Sequence, residues 1–171
     1  MSRPFVAVLM GSDSDLPVME EALAILKRFG IATELRILSA HRTPEVTHAY
    51  VKEANARGCA VFIAAAGLAA HLAGTVAALT IKPVIGVPME GGPLNGVDAL
   101  LSTVQMPGGV PVACMALGKA GAKNAAYLAT QILELQETVL AERLRSEREE
   151  TVKNILDKQA ALLERYTQKP V

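Results

Sequence analysis

At 171 residues, 51% of them hydrophobic, the chain is long enough for one domain with a sizeable core and too apolar to remain disordered. Its 17 basic and 17 acidic side chains leave no net charge, which argues against a nucleic-acid-binding surface. The two cysteines, Cys59 and Cys114, stand in no paired motif, so neither a disulfide framework nor a zinc finger is expected, and both read as reduced core residues.

Met1-Ser2-Arg3-Pro4 leads directly into an apolar run and offers no secretory signal, so a cytoplasmic location is expected. Phe5 to Met10 is apolar without alternation, the pattern of a strand buried on both faces of a parallel sheet. Gly11-Ser12-Asp13-Ser14-Asp15 follows, then a segment with Leu16, Met19, Leu23 and Leu26 at helical spacing and a stop at Gly30. Two readings of Gly11–Asp15 stand: a ligand-binding loop at a strand's carboxyl end, or a helix cap at Ser14 or Asp15. Thr33 to Leu38 alternates and reads as a second strand. Ser39-Ala40-His41-Arg42-Thr43-Pro44 comes next, with Thr43 as expected N-cap and Pro44 as first residue of a helix that stops at Gly58. Ala60 to Ala65 is a third buried strand, and the loop from Ala66 to Leu72 opens a small-residue helix reaching about Leu79. Pro83 to Val87 is a fourth strand, residues 89–96 a glycine-rich loop, Val97 to Gln105 a short helix, and Val110 to Met115 a fifth strand. The apolar stretch across 59–81 is broken by Gly67, His71 and Gly74, so no membrane span is expected.

From about Ala120 to Tyr166 the chain reads helical. The first half is Ala-rich and suited to packing on a sheet, whereas the later part is crowded with Arg and Glu. Val152, Ile155, Leu156, Leu162 and Leu163 then form an apolar stripe. It is either one face of a solvated tail or an arm that packs on a neighbouring subunit. The expected division is a catalytic domain over 1–145 and a helical tail over 146–171.

Five strand–helix repeats with short connections imply right-handed crossovers and a doubly wound parallel α/β sheet, with the flavodoxin-like order 2-1-3-4-5 as the leading arrangement. That order makes neighbours of the carboxyl ends of strands 2, 1 and 3. The loops Ser39–Pro44, Gly11–Asp15 and Ala66–Leu72 then line one crevice. It holds two of the three histidines, His41 and His71, while His48 falls inside a helix. Histidine gives and takes protons near neutrality. Arg42 suits a phosphate or carboxylate. Ser12, Ser39 and the amides around Gly67 suit a phosphate, and Asp13 and Asp15 suit ribose hydroxyls. The set points to a phosphorylated sugar or nucleotide-like ligand and to acid–base chemistry. No dinucleotide fingerprint follows the first strand, no Walker motif or nucleophile elbow occurs, no two histidines are spaced for metal on one helix face, and no lysine lies in these three loops for a Schiff base. A flavin carrier of this fold would place aromatic rings at strand ends, and a phospho-receiver would end strand 3 on an aspartate; this chain does neither.

Several segments then stand together in order. They are Gly11-Ser12-x-Ser14-Asp15, Ser39 to Pro44, Ala69-Ala70-His71-Leu72, Gly86-Val87-Pro88, Leu94 to Pro107 and Gly118-Lys119-Ala120-Gly121-Ala122. Across about residues 5–145 the chain closely resembles the N5-carboxyaminoimidazole ribonucleotide mutases of purine biosynthesis, the PurE family. The resemblance implies a flavodoxin-like subunit in a homo-octamer, and transfer of CO2 from N5 to C4 of the imidazole without cofactor or metal. It also implies a functional link to the ATP-dependent enzyme that makes the carbamate substrate. It implies His41 as general acid/base, with Gly11, Ser12, Asp15 and Arg42 at the substrate. Ser39, Ala40, Gly67, Ala70, His71 and Leu72 become further wall and phosphate contacts. Ala69-Ala70-His71-Leu72 resembles the mutase branch; the branch that carboxylates aminoimidazole ribonucleotide directly with CO2 has a Ser-Asn-Ala type sequence there. Three departures touch loop stiffness: Leu68 where glycine is frequent, Ala73 where proline is frequent, and Glu90-Gly91-Gly92-Pro93 in place of a Ser/Ala-rich stretch.

Overall fold

The computed structural model describes residues 4–166; residues 1–3, on which the expectation of no leader rests, and residues 167–171 of the tail lie outside them. Five strands, β1 (Phe5–Met10), β2 (Ala32–Ile37), β3 (Cys59–Ala66), β4 (Val84–Pro88) and β5 (Ala113–Cys114), form one parallel sheet in the order 2-1-3-4-5. The order inferred from the alternation of elements is the one observed. β1 and β3 are its buried centre, which is why both read as uninterrupted apolar runs.

Helices α1 (Leu16–Arg28), α2 (Pro44–Ala56), α3 (Leu72–Leu79), α4 (Val97–Val104) and α5 (Gly118–Glu134) cover the sheet. The odd positions of β1, Phe5, Ala7 and Leu9, share one core with Tyr50, Val51 and Ala54 of α2 and Leu72, Ala73 and Val76 of α3. Just past the end of α1, Phe29 meets Tyr127 of α5 edge to face, and Glu21 of α1 pairs with Lys119 and Lys123 of α5. Gly86 of β4 lets α4 approach the sheet closely: a Cβ there would lie 2.3 Å from Thr103 Cγ2. α1 ends in a Schellman motif. Gly30, at φ 71°, donates to Lys27 O, and Ile31 N–H reaches Leu26 O.

Four local expectations are corrected. The cap of the first turn is Ser12, not Ser14: its hydroxyl accepts from the Ser14 amide, and Asp15 accepts from the Ser12 amide, a capping box over a 3-10 turn at Asp13–Asp15. Thr43 does precede α2, but its side chain caps nothing. Its hydroxyl turns back to accept from Ser39 N–H and donate to Ser39 O. β5 is two residues rather than six, because Pro111 has no amide to give the ladder and the chain before it turns through Val110 N–H to Pro107 O. The long carboxyl-terminal helix is broken at residues 135–137, where neither glycine nor proline marks the interruption.

The chain divides into two compact units after Leu133. The second contains α6 (Thr138–Tyr166), 29 residues long, whose Val152, Ile155, Leu156, Leu162 and Leu163 are about half exposed or more. No helix among the described residues is long and apolar enough to cross a membrane.

Edge strand β2 is tied to α2 through Glu34. Its carboxylate takes both terminal nitrogens of the Arg57 guanidinium and the Tyr50 hydroxyl, the last at 3.0 Å. The Arg57 hydrogen bonds hold that carboxyl at about 2, against an ordinary 4.5. A carboxyl lowered on folding stabilises above its unfolded value and loses that contribution as pH falls through its folded one. Glu34→Gln is therefore expected to cost about 1 kcal/mol at neutral pH. The deficit relative to the parent should shrink between about 4.5 and 2. Thermal melts of both proteins across that range check it.

Candidate active site

A cleft of about 500 Å³ opens at the carboxyl ends of the strands, within the size range of small-molecule sites. Three loops meet there because β1 lies between β2 and β3. Gly11 N–H donates to Ala65 O and Leu38 N–H to Met10 O, so the ends of all three strands are joined by hydrogen bonds.

The loop after β2 is braced from within. Ser39 O accepts from Thr43 N–H at 3.0 Å and from the Thr43 hydroxyl, Ser39 N–H donates to that hydroxyl, and the Ser39 hydroxyl accepts from Arg42 N–H at 3.1 Å. Thr47 adds a bond to Thr43 O at 2.9 Å. The turned-back Thr43 hydroxyl thus closes a tight ring, from which His41 and Arg42 project into the cleft. Arg42's guanidinium has no ion-pair partner among the described residues, which leaves its fork for an anion.

His71 stands at the N-cap of α3 and enters from the opposite wall. His41 Nε2 and His71 Nδ1 are 2.7 Å apart, with the rings edge to face. One proton lies between those two nitrogens, so one ring donates while the other must be unprotonated at the shared position. Such a pair can pass a proton and retain the partner that orients it.

Ser12 lines the floor through a dense local network. Its hydroxyl lies 2.9 Å from that of Ser14 and 3.1 Å from Asp13 Oδ1. Burial pushes the Asp15 carboxyl above its usual range, against the opposing pull of the Ser12 amide and the Ser14 hydroxyl. A group so desolvated gains from a ligand hydroxyl donated to it.

Of the residues singled out from the sequence, Gly11, Ser12, Asp15, Ser39, Ala40, His41, Arg42, Gly67, His71 and Leu72 line this one cleft. Ala70 does not; it is 1% exposed. His48 lies on α2, away from the cleft. The reading of three loops missed a fourth wall, Met89 to Gly92 after β4. The signal for it was the strand order itself, which puts β4 beside β3, together with the clustered glycines. Met89 N–H donates to Ala66 O at 2.9 Å and holds that wall to its neighbour. Among the described residues no cluster of three His, Cys, Asp or Glu side chains is placed to hold a metal ion.

Comparison with known proteins shows what the chain and its fold are similar to. The chain is 55% identical over 143 residues to the N5-carboxyaminoimidazole ribonucleotide mutase of Pyrococcus horikoshii, covering 84% of this chain and 80% of that protein. It is 53% identical over 159 residues to the enzyme of the same name from Synechocystis, covering 93% and 89% respectively. A crystal structure of Treponema denticola PurE superposes with a TM-score of 0.85 at 33% identity, over 94% of this chain and 99% of that one. The family model described as AIR carboxylase matches residues 5–154, a span that contains every strand and all four walls of the cleft. On that match, the chain belongs to the AIR carboxylase family.

Proposed function

We propose that this protein is an N5-carboxyaminoimidazole ribonucleotide mutase, an isomerase of purine biosynthesis that moves CO2 from N5 to C4 of the imidazole ring. The observation that carries the reading is the hydrogen-bonded His41–His71 pair in a cleft with an unpaired Arg42. One proton-transfer centre and one anion site are what this isomerisation asks of a protein.

Arg42 and Ser12 hold the phosphate, and Asp15 takes a ribose hydroxyl. His41 Nε2–H donates to His71 Nδ1, which leaves His41 Nδ1 as the working nitrogen. Protonated His41 gives its Nδ1 proton to N5 of the carbamate. The N–C bond breaks, its electron pair stays on nitrogen, and CO2 is released inside the cleft. The 5-amino lone pair then drives C4 to attack CO2, forming the new C–C bond. Neutral His41 removes the proton from C4, the ring regains its aromaticity, and the histidine returns to its starting form. Because protonation makes carbamate collapse easy, the protein contributes mainly orientation and retention of CO2. A single base serves both transfers, since the proton it loses to N5 is replaced by the one it takes from C4.

Direct carboxylation of aminoimidazole ribonucleotide is the nearest rival, and a purified sample separates the two. The carbamate substrate offered alone is expected to give 4-carboxy-5-aminoimidazole ribonucleotide. Aminoimidazole ribonucleotide with bicarbonate is expected to turn over at least about a hundredfold more slowly; comparable rates would sink the mutase reading.

We further infer a cytoplasmic homo-octamer, functionally linked to the ATP-dependent enzyme that supplies the carbamate. Two features support assembly. Val97, Leu101 and Val104 form an exposed apolar stripe on α4, and α6 carries the second stripe beyond residue 145. Large apolar faces left in water are unfavourable. The tail of residues 146–171 is read as an intersubunit arm. Truncation after Leu144 is expected to lower the number of subunits per particle found by light scattering, and an unchanged number would reduce the arm to a solvated tail.

A further inference from the structure

Leu68 is one of two non-glycine residues with positive φ among the described residues, at 55°. The left-handed region disfavours a γ-branched side chain, and strained backbone of this kind persists where the surroundings over-determine it. Leu68 sits on the loop after β3 as a lining residue of the cleft, with 55% of its surface still exposed. Its partner is Gly92, on the wall after β4, itself at φ 66°. A Cβ on Gly92 would lie 2.4 Å from Leu68 Cδ2, so the leucine occupies the space a side chain there would take. The facing loop is held at two other points. Met89 N–H bonds to Ala66 O at its base. The Glu90 carboxylate lies against Gly118 at the start of α5, where a Cβ would be 2.9 Å from Oε1. The positive end of that helix favours a carboxylate. Beyond the backbone bond at their base, the two walls are thereby joined by one apolar side-chain contact.

We propose that Leu68 is a positioning residue for the carboxyl transfer: its side chain, seated on Gly92, shuts the cleft between the third and fourth walls and keeps CO2 within reach of C4. The proposal rests on the mutase reading. Between cleavage of the N–C bond and formation of the C–C bond, CO2 is held by no covalent bond and no charge. An apolar barrier is what retards a neutral molecule's escape, whereas the polar groups of the site have little hold on it. The bonds formed and broken are those already given; escape adds only hydration of free CO2 to bicarbonate and leaves aminoimidazole ribonucleotide behind.

The test follows the fate of the carboxyl. Parent, Leu68→Ala and Leu68→Gly proteins are given the carbamate substrate with ¹³C-bicarbonate in solution. Product label and released aminoimidazole ribonucleotide are measured, corrected for spontaneous decarboxylation. The alanine variant keeps a non-glycine residue at this φ and removes the side chain; the glycine variant also relieves the backbone, so neither is expected to melt below the parent. Both are expected to raise the released fraction and the label in product by about tenfold relative to the parent. Leakage in the glycine variant alone would assign the effect to backbone mobility and overturn the latch. So would equal retention in all three proteins, or complete label exchange in the parent. A parent protein that forms no 4-carboxy product refutes the mutase reading instead, an outcome distinct from all of these.

Discussion

His41→Asn is expected to lower kcat by at least about a thousandfold while leaving substrate binding within a few-fold of the parent, the range associated with loss of one acid–base group. Asparagine keeps the width and polarity of the ring's inner edge, but falls short of the Nε2 position that meets His71. It cannot accept a proton from C4 or return one to N5. The braced Ser39–Thr43 ring does not depend on the histidine, because every bond in it comes from Ser39, Arg42 N–H, Thr43 or Thr47. Arg42 is therefore expected to remain in place, and with it the anion site. Isothermal titration and steady-state kinetics on the same preparation check both halves. An active variant would remove His41 from the mechanism, and a variant that neither binds nor turns over would show that the imidazole is a structural wall of the cleft.

Gly121→Ala is expected to be the most damaging small substitution. A Cβ at Gly121 would be built 1.7 Å from the carbonyl oxygen of Ala116, an overlap with backbone rather than with a movable side chain. Either α5 retreats from the segment after β5 or the Gly118 turn reforms. Overpacking of this sort costs about 3 kcal/mol at its upper range. For a chain of this size that corresponds to a fall of about 10 °C in Tm. Gly86→Ala meets a side-chain methyl at 2.3 Å instead, and a threonine rotamer can yield where a carbonyl cannot, so its loss should be smaller. Activity is expected to suffer too in Gly121→Ala, because Glu90 rests on the start of α5 and carries the fourth wall of the cleft. Differential scanning calorimetry of the two variants ranks them; equal melting temperatures would show that the helix moves freely.

Much of this was legible because the relevant forces are local or periodic. Phe5–Met10 and Cys59–Ala66 read as central strands because burial on both faces removes the polar alternation. Gly30 and Gly58 marked helix ends because their positive φ is one that side chains resist. What was misread depended on choices between partners at similar distance along the chain. Ser12 and Ser14 are equally good caps on paper, and the capping box with Asp15 decided for Ser12. Thr43 has the right residue type and place for a cap, yet its hydroxyl closes the His41 loop. The break at 135–137 has no sequence signal because its residues are ordinary helix formers.

The order of elements, the parallel sheet and the three polar loops, one bearing His41 and Arg42, one Ser12 and one His71, were legible in the amino-acid sequence, since each follows from hydrophobic period, turn chemistry and the handedness of short crossovers. Tertiary structure alone decided which groups touch. The 2.7 Å approach of His41 to His71, the seat of Leu68 on Gly92 and the entry of residues 89–92 into the cleft all join residues more than 20 apart in the chain. Those contacts are set by the spacing of neighbouring strands and the packing of helices above them, quantities that no local stretch of sequence contains.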